Sequence, residues 1–112
     1  MPLVPTIDAW HEFRVRAGTV LEADLNTGAR DPAYRLRIDF GELGILQSSA
    51  KLTALYEPHE LVGSQVIAVT GFEPVRVGGF RSDVLVLGVV TDSDEVILLR
   101  PDKPVDPGGV VE

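Results

Sequence analysis

The chain has 112 residues, 45% of them hydrophobic, enough for one compact core and one domain rather than a disordered tail. It contains no cysteine, which excludes disulfides, thiolate nucleophiles and Cys-ligated zinc. The formal charge of -7 is the wrong global sign for a nucleic-acid binder, which usually shows a basic face.

The charge is unevenly spread. Thr91 to Glu112 holds Asp92, Asp94, Glu95, Asp102, Asp106 and Glu112 against Arg100 and Lys103. Arg14, Arg16, Arg30, Arg35 and Arg37 fall in one early stretch with few acids, so a local basic patch is compatible with the acidic total. Charged, Gly or Pro residues interrupt every apolar run well short of the roughly 20 residues of a membrane span. The opening MPLVPTIDAW has neither a basic n-region nor a long apolar h-region. The expectation is a cytoplasmic protein with no membrane insertion.

In chain order, Thr6 caps a short helix from Ile7 to about Phe13, with Asp8 in its first turn. Val15 to Ala23 is rich in β-branched and small apolar residues and reads as a strand, followed by the turn chemistry of LNTGARDP. Tyr34 to Phe40 is the clearest element: Tyr34, Leu36, Ile38 and Phe40 alternate with Arg35, Arg37 and Asp39, as in a half-buried strand. LGILQSS is a third strand. Ala50 to Tyr56 reads as a short helix closed before Pro58, and HELVG as a turn stopped at Gly63.

Gln65 to Val69 and Ser82 to Leu87 are β-forming, separated by GFEPVRVGGF, where Pro74 and Gly78-Gly79 point to a loop or bent hairpin. A last run, Val96 to Leu99, ends at Pro101 before a Pro- and Gly-rich tail. Leu36, Ile38, Val66, Ile67, Val69, Val84 and Val86 are expected to line or flank the core. The pattern predicts an all-β, OB-fold five-stranded barrel with a short N-terminal helix and a short helix after the third strand. The chain reads as a single domain over 1–112, with a helical extension at 1–14 and a tail at 101–112.

Catalytic chemistry finds little support. His11 and His59 have no metal-face spacing, and Asp92, Asp94 and Glu95 lack the Gly and distal Glu of a calcium loop. Ser48 and Ser49 have no nucleophile setting, and Gly78-Gly79 has no strand-to-helix context for phosphate binding. No enzyme activity, metal or cofactor is expected. Arginine remains: Arg35 and Arg37 project from the non-core face of a strand, and an OB barrel presents such a face to nucleic acid, with arginine pairing to phosphate. Arg76 and Arg81 flank the Gly pair and frame the same surface. Trp10 and Phe13 are packing residues, within one chain or across a dimer.

The blocks RAGTV, PAYRLRIDFG, QSSAKLT, LVGSQVIAV, GGFRSDVLVLG and VILLRPDKPV, in that order, resemble the CsaA-like branch of the tRNA-binding domain family, which is related to a domain appended to some methionyl-tRNA synthetases. The resemblance runs from about Trp10 to Val105. It implies an OB barrel, a homodimer joined outside the barrel core, tRNA bound by shape, and a chaperone-like role in protein export. It carries a basic residue onto Arg35, a serine pair onto Ser48 and Ser49, and a further serine onto Ser82. The family's Asn-Phe-Pro-Pro-Arg-Arg loop falls on Gly71 to Arg76, where the amide and one arginine are absent and Glu73 is added. Arg14 stands where an Asp is usual.

RNA-binding candidates are therefore Arg35, Arg37, Ser48, Ser49, Arg76, Arg81 and Ser82, and dimer-interface candidates are Trp10, Phe13 and Pro101. Two functions are expected from different classes: a tRNA-binding homodimer, and a chaperone that holds unfolded or exported proteins in an apolar groove.

Overall fold

The computed structural model describes residues 4–12 and 14–112; Phe13 and the side chain of His11, named above, lie outside the described residues. The fold is all-β, built on one curled antiparallel sheet of five strands in the order β3-β2-β1-β4-β7. These are β1 (Arg14–Leu25), β2 (Tyr34–Asp39), β3 (Ile45–Ala50), β4 (Gln65–Thr70) and β7 (Leu85–Val86). Two hairpins project from it, β5 (Val75–Val77) with β6 (Phe80–Ser82), and β8 (Gly88–Val90) with β9 (Val96–Leu98).

Strand β1 is longer than its composition predicts and organises the sheet. Arg14 to Thr19 pairs with β4, while Thr19 to Leu25 pairs with β2. Between Val20 and Glu22 the register against β2 shifts, leaving Leu21 as an extra residue. Such a bulge bends a strand and raises its twist, so one strand serves two neighbours at different angles.

The edge of β1 that faces β2 in its second half is taken in its first half by the C-terminal segment. Ala17 N donates to Gly109 O at 2.9 Å, Gly108 N to Ala17 O at 2.8 Å, and Val111 N to Val15 O at 3.0 Å. Composition reads residues 101–112 as a tail; their backbone is in fact tied into the sheet.

Across the sheet's ends, β3 approaches the segment before β7. Asp83 N donates to Gln47 O at 2.7 Å, Gln47 N to Asp83 Oδ2 at 3.1 Å, and Ser49 N to Ser82 Oγ at 3.1 Å. Side chains accept two of these three bonds.

The core follows the period-2 pattern where that pattern is strict. Tyr34, Leu36, Ile38 and Phe40 are all buried, with Val20, Leu52, Leu61, Val66, Ala68 and Val84. Val86 packs against them half-buried. In β4 the expectation fails for Ile67 and Val69: the buried residues are Val66, Ala68 and Thr70, and Ile67, the bulkiest side chain of the strand, lies with Val69 on the opposite, half-buried face. Bulk did not decide the face, because alternation admits only one of the two sets.

The short helix expected from Ile7 is a 3-10 helix over Ile7–Glu12, opened by Ala9 N donating to Thr6 O at 3.0 Å. Ala50 to Tyr56 is not helical; Leu52 enters the core there, and the α-helix after β3 is Pro58–Leu61 (α1). Pro58 starts this helix instead of stopping the previous one, because a residue without an N–H costs nothing in a first turn. Glu57 N donates to Glu60 Oε1 at 2.9 Å, closing the N-terminus.

No described helix is long and apolar enough to cross a membrane.

Candidate nucleic-acid interface

The outer face of β2 carries Arg35 and Arg37, opposite Ser49 and Gln47 of β3. Arg35 is half-buried and held from two sides. Its Nε donates to Asn26 Oδ1 at 3.1 Å, and its guanidinium carbon lies 5.0 Å from the centroid of the Phe80 ring. A cation over an aromatic face gains about 0.5 to 2 kcal/mol, and the hydrogen bond fixes the plane. Among the described residues, no carboxylate pairs with Arg35 and its terminal amines have no hydrogen-bond acceptor.

Asn26, itself buried, joins four elements. Besides accepting from Arg35, its Nδ2 donates to Ser49 Oγ at 3.2 Å and to Val77 O at 3.0 Å, and its backbone N donates to Ala33 O at 2.9 Å. The β1–β2 loop and the β5–β6 hairpin are thereby locked together. Their backbones meet at Gly28 and Gly78: a Cβ on Gly28 would sit 2.4 Å from Gly78 O, and one on Gly78 would sit 2.2 Å from Gly28 C. Only glycine permits that approach.

On the hairpin, Arg76 and Arg81 are directly opposed, both exposed. Like charges in that position repel, so the pair needs compensation. Arg81 has it, with Nε 2.8 Å from Asp83 Oδ1, whereas Arg76 donates from Nη1 only to Gly79 O at 3.0 Å. Arg37 lies 3.9 Å from Glu22, and Lys51 Nζ lies 3.1 Å from Asp31, both largely exposed pairs of small energetic weight. Arg30, Arg35 and Arg76 have no carboxylate partner among the described residues.

The serines divide. Ser49 is half-buried at the foot of Arg35. Ser48 and Ser82 are buried, 1% and 7% exposed, with Ser82 Oγ 3.5 Å from Ser48 Oγ and donating to Val84 O at 3.2 Å. Their hydroxyls are used inside the seam between β3 and the β7 end and do not reach the surface. In an alternating strand one of two adjacent serines must face inward, and here it is the partner of Leu36.

The interface candidates lie elsewhere. Trp10 sits in the 3-10 segment, 38% exposed. Pro101 borders an apolar groove of about 250 Å³ with Ala17, Ile67, Val105 and Val110. Asn26, Phe80 and Gly28 were not singled out by sequence reasoning. Asn26 and Gly28 are ordinary turn residues in LNTGARDP, and Phe80 an ordinary apolar residue beside a Gly pair. Among the described residues, no cluster of three His, Asp or Glu side chains is arranged to hold a metal ion.

A family model described as "Putative tRNA binding domain" matches residues 15–109. The methionine–tRNA ligase of Methanothrix thermoacetophila is 40% identical over 107 residues, covering 96% of this chain and 15% of the ligase. The chain thus spans about one seventh of the length of such curated relatives. Among solved structures, the chaperone CsaA from Bacillus anthracis str. Ames is 44% identical with a TM-score of 0.93, covering 98% of this chain and 100% of that one. The CsaA chaperone protein from Picrophilus torridus is 36% identical with a TM-score of 0.90, covering 97% and 100%. On sequence and fold together, the chain belongs to the tRNA-binding domain family.

Proposed function

We propose that this chain is a non-enzymatic, cytoplasmic OB-type barrel that binds folded tRNA as a homodimer, through phosphates and shape rather than base sequence. In an OB fold, the β2–β3 face and the loops after the first and fourth strands form the binding surface. Here these are the Arg35 face, the Asn26 loop and the β5–β6 hairpin. The observation that carries the reading is the fixed guanidinium of Arg35: oriented by Asn26 and Phe80, with its terminal amines unused, it is preorganised to meet a phosphate. Arg37, Arg76 and Arg81 extend the surface, and Ser49 supports Arg35 from below. Ser48 and Ser82 serve by holding the strands that present it. Two copies, joined through the segments that carry Trp10, Phe13 and Pro101, double a weak patch.

The test is a gel shift with total tRNA at about 50 and 200 mM salt, where a binder that neutralises several phosphates loses affinity steeply. Absence of any shift at the lower salt defeats the reading.

A second reading has its own support. Both CsaA structures bear the name chaperone, and the β8–β9 hairpin exposes Val89, Val90 and Ile97, with Leu99 just after it, and carries exposed Asp92 and Asp94 in its turn. A protein that holds unfolded or exported segments would use such apolar area, and net negative charge favours its solubility. Aggregation suppression that survives loss of the arginines would favour this reading.

A further inference from the structure

Beside Arg35 lies a concavity of about 160 Å³ between the β1–β2 loop, the end of β3 and the hairpin. Its walls are Ala29, Ala33 and Val77; its rim carries Arg30, Asp31, Ser49 and Lys51, with Lys51 paired to Asp31 at 3.1 Å. Two of these residues are direct neighbours of the arginine clamp, since Ser49 opposes Arg35 and Val77 opposes Phe80. Both also receive the Nδ2 hydrogen bonds of Asn26, so the pocket and the clamp share one rigid support. The space is well below the roughly 300 to 1,000 Å³ of a site for a larger small molecule.

We infer that this concavity is a subsite for a single unstacked nucleobase of the bound RNA, with the adjoining phosphate held by Arg35. The inference rests on the RNA-binding reading above and narrows it. Small apolar walls accept the flat faces of a base, while a hydroxyl and the Asp31 carboxylate at the rim can meet its polar edge and Arg30 and Lys51 its backbone. A fully paired helix keeps its bases stacked and offers nothing to such a pocket, whereas loops, bulges and ends present bases that can be splayed out. The site would therefore make the protein prefer RNA with an unpaired nucleotide, in addition to reading overall shape. Arg30, which has no carboxylate partner among the described residues, and Lys51, in an exposed pair with Asp31 at 3.1 Å, sit where that nucleotide's backbone would pass.

The experiment compares two RNAs at one fixed salt: a blunt duplex of about 20 base pairs and the same duplex with one unpaired adenosine bulge. The bulged RNA is expected to bind at least about fivefold tighter, the lower range of what one accommodated base contributes. Ala29→Leu, which fills the pocket from a half-buried loop position, should bring the two affinities together. If total tRNA shifts but both duplexes bind wild type equally, the subsite is overturned and phosphate binding stands. If the preference exists but survives in a folded Ala29→Leu variant, the pocket is also overturned as its source. If neither tRNA nor duplex binds, the broader reading falls and the subsite with it. Should Ala29→Leu fail to fold, replacing the exposed rim residues Arg30 and Lys51 together by Ala should likewise bring the two affinities together, and a preference that survives that change overturns the pocket.

Discussion

Arg35 Nε on β2 donates to Asn26 Oδ1 at 3.1 Å, in the loop that leads from β1, and so an outer-face arginine becomes a fixed one. Free arginine side chains lose substantial rotamer entropy when they grip a ligand. In this chain much of that loss is already met on folding.

Arg35→Ala should therefore weaken tRNA binding more than Arg37→Ala, whose parent side chain is exposed and loosely paired with Glu22. Loss of one phosphate contact should lower the slope of log affinity against log salt by roughly one unit. Fluorescence titrations over a salt series would measure both effects, and circular dichroism should show an unchanged fold.

Asn26→Ala removes a buried side chain that serves Arg35, Ser49 and Val77 at once. Its partners would be left unsatisfied or would have to move, so unfolding stability should drop by about 2 kcal/mol. Urea denaturation gives the value. A loss well below about 0.5 kcal/mol would show that the loop and hairpin do not depend on this amide.

Gly78 and Gly79 separate steric contact from backbone strain. Both have positive φ, 59° and 79°, but a Cβ on Gly78 would strike the Gly28 backbone while one on Gly79 meets nothing within 4 Å. Gly79→Ala should cost about 1 to 2 kcal/mol from conformation alone, and Gly78→Ala distinctly more. Paired thermal melts would show the order, and equal losses would refute the close packing of the two loops.

Tyr34 should make stability fall at alkaline pH. Burial raises its hydroxyl above the usual 10.0, with lesser contributions from Glu57 and Glu60, and the neutral hydroxyl donates to Tyr56 O at 2.7 Å. The folded state holds this proton more tightly than the unfolded state does. The contribution is therefore fully present below pH 10.0 and is lost as pH rises through the higher folded value. Phenolate absorbance should show late titration in the native protein, and Tyr34→Phe should remove this part of the pH dependence.

The homodimer should appear in light scattering as twice the 12.1 kDa chain mass. Val110 is 62% exposed at the edge of the Pro101 groove, so Val110→Glu should push the population toward monomer if that groove is part of the interface. A monomeric wild type at tens of micromolar would rule the assembly out.

Much of this molecule is readable residue by residue because strand geometry is local. Alternation from Tyr34 to Phe40 sends aromatic and aliphatic side chains one way and arginines the other, whatever lies beyond the strand. Turn chemistry likewise marks the loops at LNTGARDP and Gly78-Gly79, and ordered blocks along the chain carry the family. What alternation leaves open is which parity of a uniformly apolar or uniformly hydroxylated run turns inward. Ile67 and Ser48 show this: their faces are set by register with neighbouring strands. Pro58 is ambiguous for a related reason, since the same missing N–H ends one helix or begins another, and the burial of Leu52 selects the second. The arginine clamp depends most on long-range contacts. Asn26 meets Val77 across 51 positions, and Arg35 meets Phe80 only after two loops have closed on a pair of glycines, so no local pattern encodes their contact.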